Sequence, residues 1–380
     1  MKFIHLSDLH IGIHLHNYDL KDDQQYILNQ IIQLADEEQP DAVVIAGDIY
    51  DKSVPSAEAV EVFDGFITGL RRVKSDMPIM LIAGNHDSPQ RIDCFRNILK
   101  EEQVYMVGLP PQTREEYIEK VTIRDEYGPV HFYLLPFVKP FFLRGIFGEQ
   151  AVSYDEALHL LLERENIDLE ERNVLVSHQF FVRDKEDAAN IERAETEVYT
   201  IGNIDSVTTD CLVPFDYVAL GHLHKPMRVE RDTIRYCGTP MAYSISEENQ
   251  EKGVLVVTLT QKGDAPVIRR LPLIPLRQVR TQRGTLEEVT AVPSEDYIWV
   301  SLTERTDLDI TDMQQRLREA FPHLLGVRNE YAVSFAAEDV EMEQIKEQSA
   351  FELFMQFCPE LDREEQQIIK DVINKVQGEV

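Results

Sequence analysis

Asp, His and Asn recur in this chain in the pairings that hold metal ions. Asp8-Leu9-His10, Gly47-Asp48 with Asp51, Gly84-Asn85-His86-Asp87, Ser177-His178 and Gly221-His222-Leu223-His224 all lie within the first 224 residues. Each follows an apolar run that reads as a buried β-strand, so in an open α/β sheet their side chains would collect at one edge. Collected there they would form a two-metal site. A bridged centre needs one carboxylate whose two oxygens reach metals about 3.5 to 4 Å apart, with imidazole and carboxamide ligands completing each ion. Asp48 is the natural bridge, because Gly47 before it lets the chain turn sharply off its strand. Asp8 and His10 lie two apart, point to one side of an extended chain and can grip a single ion. His222 and His224 share that spacing and can serve one metal each only if the turn there splays them.

Taken singly, a D-x-H or H-x-H is common by chance, and a lone strand-end histidine such as His178 is more often a hydrogen-bonded core residue. Five motifs in order, each at a strand end, are hard to derive from structural need alone. The strand candidates are Phe3 to Leu6, Ala42 to Ala46, Ile79 to Ala83, His131 to Leu135, Asn173 to Ser177 and Tyr217 to Leu220. Between them, helical spacing marks Asp22 to Glu38, Ser56 to Val73, Arg91 to Lys100 and Tyr154 to Glu165. Strand and helix in alternation predict a largely parallel sheet covered on both faces.

The formal charge is -30, from 38 basic and 68 acidic residues. Non-specific DNA affinity comes from Lys and Arg neutralising phosphates, so any DNA contact here must be local. The N-terminus runs straight into the first strand, and no stretch reaches the roughly 18 to 20 apolar residues that cross a bilayer. A cytoplasmic protein without a membrane partner is expected. Cys94, Cys211, Cys237 and Cys358 are scattered and form no C-x-x-C pair, which speaks against a disulfide framework or a thiolate zinc site.

The ordered motif set resembles the calcineurin-like metallophosphoesterase superfamily, with its D-x-H, G-D-x-x-[DH], G-N-H-[DE], single His and G-H-x-H. The longer stretches Phe3 to His10, Gly47 to Asp51, Gly84 to Ser88 and Tyr236-Cys237-Gly238-Thr239-Pro240-Met241 resemble the SbcD DNA-repair exonucleases. The resemblance implies a metallophosphoesterase-type α/β sandwich, a small α+β capping domain and a C-terminal helical hairpin. It implies that Asp8, His10, Asp48 and His224 hold one metal, and that Asp48, Asn85, His178 and His222 hold the other. Ligands that are all oxygen and imidazole suit Mn²⁺. It further implies that His86 is no ligand but faces the scissile phosphate as a catalytic group. Asp51 is expected to orient that histidine, with a helix N-terminal carboxylate as the plain alternative. Asp87 is left without a catalytic role. His5, His14, His16, His131, His159 and His323 are read as structural or exposed, with His14 and His16 as candidates to line a substrate groove.

Three parts are expected: a phosphoesterase domain over 1–265, a capping domain over 266–337, and a linker with a two-helix segment over 338–380. Residues 265 to 286 carry Arg269, Arg270, Arg277, Arg280 and Arg283 and no acid. They would either meet a DNA backbone at the junction or simply face solvent. Near the C-terminus, Phe351, Leu353, Phe354 and Phe357 crowd one helical pattern, and Ile368, Ile369, Val372, Ile373 and Val376 form a stripe on the next. A hairpin with two apolar stripes should dock elsewhere, either back onto the capping domain or onto a partner, and the resemblance names that partner as the coiled-coil ATPase SbcC. It also suggests homodimers through helices such as Ser56 to Val73 and Arg91 to Lys100. The expected function is a Mn²⁺-dependent nuclease on DNA ends, single strands and hairpins. The alternatives are a small-molecule or phosphoprotein phosphoesterase, and a DNA-tethering scaffold protein.

Overall fold

The structure, a computed structural model, describes residues 1–148, 153–184, 206–306 and 308–330. Strands such as Ala42–Ala46 and Ile79–Ile82 are apolar at every position and buried on both faces, so they can lie only inside a covered sheet. They sit in a six-stranded sheet of order Val267–Pro272, Gly253–Thr258, Lys2–Leu6, Ala42–Ala46, Ile79–Ile82, Val104–Val107. The last four run parallel, and Gly253–Thr258 pairs antiparallel with both of its neighbours. A second six-stranded sheet has the order Met227–Val229, Arg231–Tyr236, Tyr217–Leu220, Arg172–Ser177, Gly128–Leu135, Glu119–Asp125. Its middle four strands are parallel and its edges are antiparallel.

Strand and helix alternation alone predicted one doubly covered sheet; the structure instead packs two sheets face to face, the α/β sandwich that the family resemblance implied. Their inner faces share a core of Phe3, Val44, Met80, Ile82, Phe132, Val174, Tyr217 and Ala219. Phe3 meets Phe132 and Tyr217 edge-on, with ring centroids 5.3 and 5.6 Å apart. His5 serves this seam as well: its Nε2–H donates to the Leu220 carbonyl at 3.2 Å, and its Nδ1 accepts from the Tyr217 hydroxyl at 3.0 Å. A covering helix and a facing sheet both require apolar residues on both sides of a strand, so the strand sequences do not distinguish them.

Helices cover the outer faces. Lys21–Glu38 buries Ile27, Leu28, Ile31 and Ala35 on the first sheet, beside Ala57–Val73 with Val62, Phe63, Phe66 and Leu70. Ser56 caps the second of these by accepting from the Ala59 amide at 3.2 Å. Tyr154–Glu163 lays Ala157, Leu158, Leu161 and Leu162 on the other sheet. The helix expected over Arg91 to Lys100 is instead two short pieces, Pro89–Ile92 and Arg96–Glu101. They part at Phe95, whose φ of +61° cannot continue a right-handed helix. Asp93 fixes the break by accepting from the Gly108 amide at 2.7 Å.

The strand Val267–Pro272 belongs to the first sheet, so that sheet extends past residue 265. Beyond it, Val279–Gly284, Tyr297–Leu302 and Leu324–Asn329 form a three-stranded parallel sheet. Leu286–Thr290 and Ile310–Ala320 make the crossovers, and Leu286, Val289, Val300, Leu317 and Phe321 fill a separate small core. The strand expected near Tyr331 to Phe335 and all of 338–380 lie outside the described residues.

The arginine cluster finds its partners within the fold. Arg269 pairs with Glu38 at 2.6 Å, Arg277 with Asp23 at 2.8 Å, Arg280 with Asp296 at 2.8 Å and Arg283 with Glu330 at 2.7 Å. Arg270 donates to the Glu251 carbonyl at 3.2 Å. The acids come from outside the stretch, so folding brings carboxylates to four of its five arginines. Asp23 also accepts from the Tyr297 hydroxyl at 3.0 Å, which ties the small sheet to the first covering helix.

At the far end of the sandwich, Asp125 accepts from both the Met1 ammonium and the buried Arg172 guanidinium. Arg172 also donates to the carbonyls of Gly128 at 2.8 Å and Thr260 at 2.9 Å, so one side chain clamps the two sheets. Arg172→Met is expected to cost about 3 kcal/mol, the lower end for breaking a buried ion pair, since Met1 still faces Asp125. Chemical denaturation reads this as a lower midpoint with an unchanged slope.

Candidate metal centre

Five strands end at one rim: Lys2–Leu6, Ala42–Ala46 and Ile79–Ile82 from the first sheet, Arg172–Ser177 and Tyr217–Leu220 from the second. Each hands over directly to one of the five motifs. The chain there must reverse within a residue or two, and the residues that would bind metal carry the strain. Asp8, His10, Asp48 and His222 have φ of 53°, 42°, 50° and 91°, a left-handed region that non-glycine residues avoid. Two glycines make room. A Cβ on Gly47 (φ 87°) would sit 2.2 Å from His178 Nδ1, and one on Gly84 would sit 2.1 Å from Asp48 Oδ1.

All seven residues expected to ligate converge. Asp8, His10, Asp48, His178, His222 and His224 are buried, while Asn85 and His86 are half-buried at the mouth. Candidate ligand atoms of Asp8, His10 and His224 lie within 4.8 Å of one another, as do those of Asp8, Asp48 and His178, and those of His10, Asp48 and His86. His10 Nε2 and His224 Nε2 are 3.1 Å apart. Asn85 Oδ1 lies 3.1 Å from His178 Nε2 and 2.9 Å from His222 Nδ1. The turn at Gly221 does splay its two histidines, one toward each group.

Asp48 stands between the two groups. Its Oδ1 accepts the His86 amide at 2.9 Å, and its Oδ2 lies 3.2 Å from His178 Nε2 and 3.6 Å from His10 Nε2. The orientation of the rings is just as defined. A carbonyl only accepts, so His178 Nδ1 carries hydrogen toward Ala46 O at 2.6 Å and leaves Nε2 for the cluster. His224 Nδ1 is likewise turned toward Glu247 Oε1 at 3.4 Å.

The electrostatics call for a cation. Burial opposes a charged His178, yet Asp48 and Asp8 outweigh it and push the imidazole up to about 9. Asp48 is held well below the usual carboxylate range against its own burial by His178, His10 and His86. Burial keeps His10 well below the ordinary imidazole range, so it stays neutral and able to ligate. Among the described residues, Asp8 Oδ2 is buried with no hydrogen-bond partner. An orphaned carboxylate oxygen amid converging imidazole nitrogens fits a dinuclear metal site.

His86 and Asp51 meet differently from expectation. His86 Nδ1–H donates to the main-chain carbonyl of Asp51 at 2.9 Å, whereas the Asp51 carboxylate lies 4.0 Å from His10 Nδ1. The contact that aims His86 is thus the backbone of Asp51, which residue type does not encode. His14 and His16 are exposed, and the His16 ring lies 5.7 Å from Trp299 of the small sheet. His131, His159 and His323 bond to Glu171, to Thr208 and to the Glu295 carbonyl, away from this rim.

Several supporting residues escape a sequence reading. Asp87 is buried and accepts from Ile49, Tyr50 and Gly84 amides at 3.0, 3.0 and 2.9 Å, locking two of the motif loops together. Its place in Gly84 to Asp87 was the available signal. Gln24 donates to the His10 carbonyl at 2.9 Å and Tyr243 to the Leu9 carbonyl at 2.6 Å, fixing the first turn from a helix and a distant loop. Nothing local marks either one. Among the described residues, no helix is long and apolar enough to cross a membrane, and Cys94, Cys211 and Cys237 are free.

Residues 1–226 match the calcineurin-like phosphoesterase family, and residues 272–360 match the type 5 capsule protein repressor C-terminal domain. The chain is 31% identical over 365 residues to the SbcD component of the SbcCD nuclease of Staphylococcus epidermidis, covering 93% of this chain and 92% of that protein. It is 30% identical over 365 residues, with the same coverage, to the protein of that name from Staphylococcus saprophyticus. A rim of converging Asp and His side chains, a matching phosphoesterase family and near full-length relatives agree: the chain belongs to the calcineurin-like phosphoesterases, as a member of the SbcD family of nuclease subunits.

Proposed function

We propose that this chain is the DNA-cleaving member of an SbcCD-like complex and works with two Mn²⁺ ions. Asp8, His10, Asp48 and His224 would hold one ion; Asp48, Asn85, His178 and His222 would hold the other. Asp48 Oδ2, placed between His178 Nε2 and His10 Nε2, is the observation that carries this reading. Bound there, the ions would supply Lewis-acid activation of water and neutralise charge on the phosphodiester. His86 stands at the mouth with Nδ1 occupied by the Asp51 carbonyl, so its Nε2 is the atom available to exchange a proton with the leaving oxygen. Asp51 supports that ring through its backbone. DNA ends, single strands and hairpins are the substrates, and the site of work is the cytoplasm. The segment 338–380 recruits the SbcC-like ATPase, and two copies of the chain form a homodimer.

Elemental analysis and Mn²⁺ titration test the ligand assignment. Asp48→Ala should lose both ions and all cleavage of labelled single-stranded DNA, while His224→Ala should chiefly weaken one ion. Two tightly bound ions in Asp48→Ala would refute the bridge.

His86→Gln should keep both ions and DNA affinity while turnover falls by about 10² to 10⁴, the usual effect of losing a positioned acid. Metal loss in this variant would place His86 in the ligand shell, as its proximity to His10 and Asp48 permits.

Truncation after Glu338 should spare Mn²⁺-dependent cleavage of single strands and abolish co-purification with the ATPase. Full retention of the ATPase by the truncated chain would exclude this segment as the docking site.

A further inference from the structure

Behind His224 lies a buried ion pair that metal ligation alone does not explain. Glu247 and Lys252 are 0% and 5% exposed at their side chains and 2.6 Å apart. Each reaches the same histidine. Glu247 Oε1 faces the His224 ring at Nδ1, 3.4 Å away, and Lys252 Nζ donates to the His224 main-chain carbonyl at 2.9 Å. The remaining capacity of Glu247 is filled by donors. Its Oε2 accepts from the Thr239 hydroxyl at 2.9 Å, and its Oε1 faces the Ser244 hydroxyl at 3.3 Å and the Tyr243 amide at 3.4 Å.

A carboxylate ringed by donors can only accept, so the hydrogen it shares with His224 sits on Nδ1. The lone pair is then on Nε2, which points to His10 Nε2. The facing His178 has a weaker backing, a neutral peptide carbonyl from Ala46. A carboxylate behind an imidazole raises its basicity and fixes its tautomer, which strengthens the metal bond it can make.

We propose that Glu247 is a positioning residue: it locks His224 as the Nδ1–H tautomer and thereby sets the metal affinity of the Asp8, His10 and His224 site. Lys252 keeps Glu247 ionised in the interior and anchors the backbone that carries His224. This inference rests on the reading that the centre holds two metal ions.

Mn²⁺ titration calorimetry on the full chain and on Glu247→Gln tests it, with His224→Ala marking which binding event belongs to that site. The isosteric variant should weaken that event about 10- to 100-fold and leave the other unchanged. Wild-type affinity at both sites, or an equal loss at both, would reduce Glu247 to a partner in a core ion pair and overturn the proposal. Should Glu247→Gln not fold, ¹⁵N spectra of the metal-free wild-type protein give the tautomer directly. Hydrogen on His224 Nδ1 is expected, and hydrogen on Nε2 would overturn the assignment. Wild-type protein that binds no Mn²⁺ would refute the metal reading by itself, while the tautomer measurement would still decide the role of Glu247.

Discussion

Two carboxylates, Asp8 and Asp48, are buried side by side at the rim of the sandwich. Removing such ions from water costs on the order of several kcal/mol each unless opposite charge is supplied nearby. Among the described residues, His178 is driven toward its charged form, His10 is kept neutral by burial, and one oxygen of Asp8 has no partner. A buried Asp and His cluster of this kind fits a dinuclear metal site, and the surrounding framework serves to hold its side chains together.

That framework uses both sheets. Three strands of one and two of the other end at the same height, so side chains distant in sequence meet within a few ångströms. The reversals needed to aim them place four of the candidate ligands at positive φ, strain that persists only because neighbours over-determine it. Asp87, Gln24 and Tyr243 supply that over-determination through hydrogen bonds to the backbone of the motif loops. At the opposite end, Arg172 and Asp125 hold the sheets together. Both ends of the sandwich are thus fixed by buried polar contacts, with an aromatic and aliphatic core between them.

The charge balance of -30 shapes the outside in a related way. Arginines at the junction with the small sheet look like a positive stretch in one dimension. Folding brings Glu38, Asp23, Asp296 and Glu330 against four of them. These pairs lie between the small sheet and the sandwich and within each, and with arginine side chains from 27% to 67% exposed they are surface contacts of small individual weight.

Residue types and strand periodicity placed Asp8, His10, Asp48, Asn85, His178, His222 and His224 at strand ends along one sheet edge, where the structure brings them together; their division between two metals came from the family resemblance. Helix positions such as Ser56 to Val73 were also legible from apolar periodicity. The pairing of two sheets was legible only through the family resemblance and not from periodicity, since a buried strand has the same composition against a helix or a sheet. Nor was the break at Phe95, which depends on Asp93 reaching Gly108. The backbone contact from Asp51 to His86, the placing of Asp48 Oδ2 near both His178 and His10, and the Glu247–Lys252 pair behind His224 belong to the tertiary structure alone. Residue type fixes which atoms a side chain can offer, but which atom faces which partner depends on backbone direction and on burial, and both are set by contacts between segments far apart in the chain.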